Sequence, residues 1–300
     1  QARPFLDGKV RAGRNKLAYA ISATDESLTL TYTTGGAAAG TPITVGLETM
    51  YVWTASGQTL TVERGSDGTI PSQHAAGDIV LIDPEFTDAK ILDAINLVLS
   101  ALPSAGVYAT KTLDLSVSGS SEGYDLAADV ESVLDVRWQH SVDSTDWTPV
   151  QGFEVKRNMP TTSFASGVAL FLPERPGGSF GSDTHAVRVT YRAVLQPLQG
   201  LFDDVVAVTG LPASALDLLS LGAACWLMTG RPIQRVGTNA QPDPRNNAEV
   251  PVSAVFNSTA RLEQRFAQRI ADEADKLSRE NVYRQPARSI MVSRSMRRNW

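Results

Sequence analysis

ASALDLLSLGAACWLMT, residues Ala213–Thr229, predicts a helix that is apolar on almost every face. Pro212 stands where a first-turn proline is tolerated, and Gly230 followed by Pro232 ends the helical pattern. The polar residues form a thin stripe: Ser214, Asp217 and Ser220. Such a helix is either enclosed by its own protein or spans a membrane. Its acidic residue and its length, short of roughly 20 apolar residues, argue against a membrane span. We therefore expect this helix to be the buried centre of a helical core.

Two further segments carry an apolar stripe that could pack on this helix. Phe86–Leu102 repeats apolar residues at helical spacing and ends before Pro103. Its stripe consists of Ile91, Leu92, Ile95, Val98, Leu99 and Leu102. The stripe of Ser258–Asn281 consists of Leu262, Phe266, Ile270, Ala274 and Leu277. The three segments predict a three-helix core built from residues 84–103 and 199–281, with a proline-rich loop at 231–251.

The opposite side of Ser258–Asn281 is charged. Residues of opposite charge recur four positions apart, in the pairs Arg269–Glu273, Asp272–Lys276 and Asp275–Arg279. Arg261, Arg265 and Arg269 also line up one turn apart. This stripe indicates either a solvated helix face or a face turned towards an acidic partner or DNA.

Two regions have the composition of β structure. Residues 17–83 contain short runs rich in Val, Ile, Thr and aromatic residues, separated by glycine-rich breaks, which predicts a small β domain. Residues 104–198 alternate apolar and polar residues between Ser-, Gly-, Asp- and Pro-rich turns, which predicts an inserted sandwich or barrel. Val205–Thr209 is also strand-like in composition. The predicted fold class is α+β: a small antiparallel β domain and an inserted β-sandwich or barrel attached to a three-helix core, with extended N- and C-terminal arms.

Both ends of the chain are basic. Residues 1–16 carry Arg3, Lys9, Arg11, Arg14 and Lys16 against a single acid, Asp7. This composition indicates either a flexible terminus or an arm that becomes ordered against a neighbouring subunit. Residues 282–300, VYRQPARSIMVSRSMRRNW, mix arginines with large apolar residues and contain no acid. We expect this tail, rather than being simply disordered, to dock on another protein by strand addition or side-chain insertion. The candidate docking residues are Arg284, Arg288, Ile290, Met291, Arg294, Arg297, Arg298 and Trp300.

Composition, net charge and cysteine count restrict the classes of function. The chain has 300 residues, 42% of them hydrophobic, and a formal net charge of −5, which does not suit a general nucleic-acid binder. Cys225 is the single cysteine, so a disulfide framework and a cysteine-based metal site are excluded. The N-terminal residues lack the apolar run of a secretory signal. These features fit assembly in a reducing cytosol.

Catalytic motifs are not apparent. His74, His140 and His185 lie in separate strand or loop contexts, and the sequence has no HExxH, CxxC, GxSxG or Walker pattern. Asp203 and Asp204 are adjacent, and neighbours in a strand would point to opposite faces. We therefore expect no enzyme activity, no cofactor and no metal. A hydrolase has only the presence of His and Asp in its favour, whereas Trp138 and Trp147 could form a sugar-stacking platform.

Two features together resemble a known family. Val62-Glu63-Arg64-Gly65-Ser66-Asp67-Gly68-Thr69, followed by His74-Ala75-Ala76-Gly77-Asp78-Ile79-Val80, is similar to an RG-x-x-GT…HAAG-x-x-V pattern of tailed-bacteriophage virion proteins. The three helical segments with a basic tail resemble the head-to-tail adaptor (connector, head-completion) proteins of siphophages. The first likeness covers about twenty residues and the second about a third of the chain.

The resemblance implies a structural protein of the virion neck, assembled in the host cytoplasm. It implies a ring, usually of twelve copies, that docks on the portal protein through residues 282–300. It also implies contact with the next neck or tail protein, a stopper or tail terminator, and a lumen through which double-stranded DNA passes without sequence-specific contacts. No membrane partner is expected. The alternatives are another neck or tail component, such as a tail terminator or baseplate protein, and a carbohydrate-binding virion module.

Overall fold

A computed structural model describes residues 13–33, 36–117, 123–139, 146–172, 185–229 and 252–282. Helices and antiparallel sheets alternate along the chain, which confirms the predicted α+β class. The described residues form two compact units. The first unit draws on residues 13–102 and 196–271, and the second on residues 103–195 and 272–282.

The first unit contains a six-stranded antiparallel sheet. Its strands are β1 (Gly13–Lys16), β2 (Ser27–Thr29), β3 (Pro42–Val45), β4 (Glu48–Ser56), β5 (Thr59–Ser66) and β6 (Ile79–Ile82), in the order β1-β6-β3-β4-β5-β2. A bridge between Leu17 and Leu30 joins the chain just after β1 to the chain just after β2, so the two edges of the sheet meet. The enclosed core includes Leu17, Leu28, Leu30, Ile43, Met50, Leu60, Val62 and Val80.

The predicted N-terminal arm, residues 1–16, is too long by four residues. Gly13–Lys16 pairs with β6 in antiparallel register, while residues 1–12 lie outside the described part of the chain. The buried side chain of Asn15 accepts a hydrogen bond from the backbone N–H of Tyr32 at 3.2 Å and donates one to its carbonyl at 3.1 Å. Backbone pairing and one amide side chain therefore hold a strand whose charged composition does not suggest one.

The helices of the bundle are α1 (Asp88–Ala101), α3 (Leu216–Thr229), which follows a 3-10 turn at Ala213–Ala215, and α4 (Val252–Val282). Thr87 caps α1 by accepting a hydrogen bond from the N–H of Lys90 at 3.2 Å. At Gly222 of α3, a Cβ atom would lie 2.8 Å from both Val98 of α1 and Phe266 of α4. The absence of a side chain therefore lets α3 contact both partners, which confirms the predicted three-helix core.

Burial on α3 follows the prediction except at one aromatic residue. Its buried residues include Leu218, Leu219, Leu221, Ala223, Ala224 and Leu227. Trp226, expected inside, is 53% exposed. The prediction of an enclosed helix is wrong at this position, because a helix that is apolar all round does not reveal which side chain stays exposed.

Two helix predictions need correction. α4 begins at Val252, six residues before the predicted start at Ser258. Val205–Thr209 is a short helix, α2, and not a strand. The carboxylate of Asp204 caps it by accepting from the N–H groups of Val206 and Ala207, and Gly210 ends it in the left-handed conformation with φ 71°. A cap at each end outweighs the β-propensity of valine in this segment.

The second unit contains two antiparallel sheets. The strands are β7 (Ala109–Val117), β8 (Tyr124–Asp125), β9 (Val130–Gln139), β10 (Trp147–Pro149), β11 (Glu154–Arg157), β12 (Val168–Phe171) and β13 (His185–Ala193). They form sheets in the orders β10-β9-β13-β7 and β11-β12-β8. Arg157 of β11 donates to the carbonyl of Val130 at 3.1 Å, so a hydrogen bond joins the two sheets. The C-terminal part of α4 belongs to this unit, and the Cβ of Ala274 lies 3.2 Å from where a Cβ on Gly106 would be.

Candidate interaction surfaces

The predicted docking residues Arg284, Arg288, Ile290, Met291, Arg294, Arg297, Arg298 and Trp300 all lie outside the described residues. The chain that leads to them is described as far as Val282, the last residue of α4. At 1.5 Å per residue, this helix of 31 residues is about 45 Å long. The basic tail therefore follows directly from a long helix that is anchored in the bundle.

The arginine stripe of α4 is partly used within the chain. Arg269 forms two hydrogen bonds with the carboxylate of Asp217 on α3, at 2.8 and 2.9 Å, and holds the pKa of that carboxyl below its usual value. Arg261 and Arg265 are exposed. The Asp275–Arg279 pair forms as predicted, at 2.7 Å, and Lys276 lies 3.1 Å from the buried carboxylate of Glu273. Two arginines of the stripe therefore remain available at the surface.

The glycine- and histidine-containing motif of the sequence surrounds a buried carboxylate. The side chain of Glu48 is fully buried and accepts hydrogen bonds from Arg64 at 2.6 and 2.9 Å. The backbone N–H groups of Gly65 and Ser72 donate to the same carboxylate at 3.2 and 3.1 Å, and Nε2 of His74 lies 2.8 Å from it. The motif therefore builds a structural cluster, which we call the Glu48 cluster.

Arg64 is the most connected residue of the Glu48 cluster. Besides its two bonds to Glu48, it donates to the carbonyls of Ser22 and Asp25 at 2.8 Å each and to that of Ser72 at 2.6 Å. All five guanidinium N–H groups thus have an acceptor. The residue fixes two loops to the hairpin of β3 and β4, and has no donor left for a ligand.

The charge state of Glu48 follows from these contacts. Burial by itself raises the pKa of this carboxyl, but the hydrogen bonds from Arg64, Ser72 and His74 outweigh burial and hold the pKa below its usual value. Gly65 has φ 64°, and a Cβ there would lie 2.7 Å from the Pro71 ring, so a glycine is needed at this position. Glu48 was not predicted from the sequence. It is the lone carboxylate in the apolar β3–β4 hairpin, and a carboxylate that is buried there needs a cation beside it, so its position could have indicated the cluster.

The predicted sugar platform is not formed by two tryptophans together. Trp138 of β9 pairs with Thr148, whereas Trp147 pairs with Gln139, so the two indoles lie on opposite faces of the sheet. The guanidinium carbon of Arg188 lies 4.3 Å from the centre of the Trp147 ring and covers one of its faces. Each tryptophan is half-buried, and the two rings do not form one shared surface.

The remaining candidate groups do not assemble into a catalytic set in the described residues. His74 belongs to the Glu48 cluster, His140 lies outside the description, and His185 begins β13. Cys225 is buried, which raises the pKa of its thiol. No group of three His, Cys, Asp or Glu side chains in the described ranges could hold a metal ion. None of the helices in those ranges is long and apolar enough to cross a membrane.

An exposed aromatic residue that sequence reasoning missed lies between β13 and α2. Phe202 is 99% exposed, and its neighbours Leu201 and Val206 are 43% and 39% exposed. Asp203 accepts hydrogen bonds from the N–H groups of Gln199 and Gly200 at 2.8 Å each. These bonds fix the turn that presents Phe202, and they lower the pKa of Asp203, so its carboxylate is ionised at neutral pH.

Comparison with protein-family models gives no match for this chain, and comparison with curated protein sequences gives none either.

Proposed function

We propose that this chain is a structural virion protein, a head-to-tail adaptor that forms part of the conduit between capsid and tail. The observation that supports it most is the continuity of α4 with the tail: a 31-residue helix packed on α3 leads straight into an arginine-rich and apolar segment. Arginine and tryptophan are residue types that contribute much of the binding energy at protein interfaces. The likeness of the RG-x-x-GT…HAAG segment to phage virion proteins gives further support.

In this proposal the tail of each copy docks on the portal protein, and a ring of copies, twelve by analogy, surrounds the DNA. The next neck or tail protein, a stopper or tail terminator, binds the face away from the portal. Residues 282–300 contain five arginines and no acid, so their net charge is +5. Because the net charge of the whole chain is −5, that of residues 1–281 is −10. An anionic body suits the wall of a DNA conduit because it repels phosphates. A map of the assembled ring with a basic lumen would refute this placement of charge.

Removal of residues 283–300 tests the docking role. We expect the shortened chain to keep its far-UV circular dichroism and its unfolding midpoint, because the deletion begins after the last residue of α4. We expect it to lose binding to portal protein and to fail to join heads to tails in a reconstitution assay. A matched control replaces Arg14 and Lys16, exposed basic residues on β1, with glutamine and leaves the tail intact.

Normal joining by the shortened chain would refute the docking assignment. Cross-linking of the intact tail to a protein other than the portal would favour a different neck or tail component instead.

A further inference from the structure

The turn that carries the exposed side chain of Phe202 is held by several hydrogen bonds. Asn96 of α1 accepts from the N–H of Leu198 at 2.8 Å and donates to its carbonyl at 2.9 Å. Asp203 then closes the turn on Gln199 and Gly200, and Asp204 caps α2 directly behind it. We call residues 199–206 the Phe202 knob. The backbone of the turn is already fixed by these bonds, so binding through Phe202 costs little backbone ordering entropy.

A second exposed surface lies where α3 packs on α4. The contacts Asp217–Arg269 and Gly222–Phe266 show that the two helices run antiparallel. One turn further along each helix, this pairing places Trp226 at the level of Leu262. Trp226 is half-exposed, Leu262 is half-buried, and Arg261 and Arg265 beside it are exposed. We call these four residues the Trp226 patch.

The knob and the patch face different directions from the bundle. Ala94 and Val98 of α1 face α3, where they meet Ala223 and Gly222. Asn96 lies two residues from each of them, which is about 200° around the helix. The knob is therefore attached to the side of α1 that faces away from α3. The knob of one copy is therefore not placed to cover the patch of the same copy.

The two surfaces complement each other in charge and in polarity. The knob presents an aromatic ring followed by two carboxylates, of which Asp203 is half-buried and Asp204 is exposed. The patch presents an aromatic ring flanked by two guanidinium groups, Arg261 and Arg265. Opposite charges around a central aromatic contact favour one register of binding over others.

We propose that the Phe202 knob of one copy docks on the Trp226 patch of a second copy of this chain, in a head-to-tail contact. Because the two contact surfaces differ, the contact repeats from copy to copy and closes into a ring when the rotation allows it. This inference rests on the proposed ring-forming function and assigns the contact between its subunits.

Sedimentation velocity of the full chain over a concentration series tests the contact. We expect concentration-dependent assembly of the native chain. Phe202→Asp, at a nearly fully exposed position, is expected to weaken the contact at least about 30-fold, and the double variant R261E/R265E similarly. Tyr19→Asp, which changes an exposed aromatic residue outside both surfaces, is the matched control and is expected to assemble as the native chain does.

Mixing the two defective variants distinguishes a head-to-tail contact from a symmetric one. Phe202→Asp keeps an intact patch and R261E/R265E keeps an intact knob, so an equimolar mixture is expected to form a one-to-one complex and nothing larger. A native chain that is monomeric at every concentration, a Phe202→Asp variant that assembles normally, or a mixture that does not pair would each overturn the proposal.

The same variants separate this inference from the proposed function, because both retain residues 283–300. Binding of each variant to portal protein is measured in parallel. Normal self-assembly of Phe202→Asp with retained portal binding refutes only the subunit contact. A native chain that self-assembles but never binds portal protein, with self-assembly lost in Phe202→Asp, refutes only the adaptor function.

Discussion

Replacement of Glu48 by glutamine is expected to lower the free energy of unfolding of the first unit by about 3–5 kcal/mol. The variant keeps the size of the side chain but leaves the guanidinium of Arg64, 94% buried, without its carboxylate. The new amide group of glutamine also points its N–H at Arg64 or at the N–H groups of Gly65 and Ser72, which are donors and need an acceptor. Urea unfolding measures the loss, and amide hydrogen exchange locates it, because Arg64 fixes residues 22–25 and Ser72 to the hairpin.

The matched control removes an exposed ion pair from the same unit. Lys90 lies 3.2 Å from Asp67 with its side chain 56% exposed, so Lys90→Met is expected to cost less than about 1 kcal/mol. The double variant E48Q/R64M should recover part of the loss, because it removes the uncompensated charge. If E48Q were as stable as K90M, the Glu48 cluster would not be a structural support of the first unit.

The contribution of Glu48 is also expected to depend on pH. Its pKa is lower in the folded chain than its ordinary value of 4.5, so its carboxylate binds protons less readily when folded. The stabilisation is fully present above pH 4.5 and is lost as the pH falls through the folded pKa. The difference in unfolding free energy between the native chain and E48Q should therefore be constant near neutral pH and shrink below about pH 4.5. A difference that grows on acidification would contradict the assignment.

Leu219→Asp is expected to unfold the helical bundle. Leu219 is buried on α3, and an unpaired carboxylate at that position costs several kcal/mol. Loss of helical circular dichroism and of protection from exchange in α1 and α4 measures the effect. Leu219→Met, which nearly conserves volume, is the control and should cost less than about 1.5 kcal/mol. A folded, fully helical Leu219→Asp variant would show that α3 is not the centre of the core.

Local patterns were sufficient to predict the helices that form the bundle. α1 and α4 each carry a stripe at helical spacing, and α3 is apolar along its whole length, so periodicity predicts that the three pack together. Of the α4 stripe, Leu277 is buried and the other four residues are half-buried. The same reasoning failed at Trp226, because a helix that is apolar on every side does not show which of its residues the neighbouring helices leave exposed. It also failed at Val205–Thr209, where Asp204 and Gly210 act as caps and decide the conformation.

The interaction features depended on contacts that are remote in sequence. Glu48 meets Arg64 16 residues away and His74 26 residues away, and nothing local indicates that these side chains converge. Phe202 is held in place by Asn96, which bonds Leu198 across 102 positions. Such contacts are set by tertiary structure, so the motif residues could be found from the sequence but the reason for their spacing could not.

Three helices that are distant in the sequence form one bundle, and we propose that the last of them leads an arginine-rich segment to a second polypeptide. Electron microscopy of the full chain mixed with portal protein, beside the chain lacking residues 283–300, tests it most directly. We expect rings joined to the portal by density that continues from the end of α4, and no joined particles for the shortened chain. Density that returns from α4 to the same subunit, or equal joining by both chains, would contradict it.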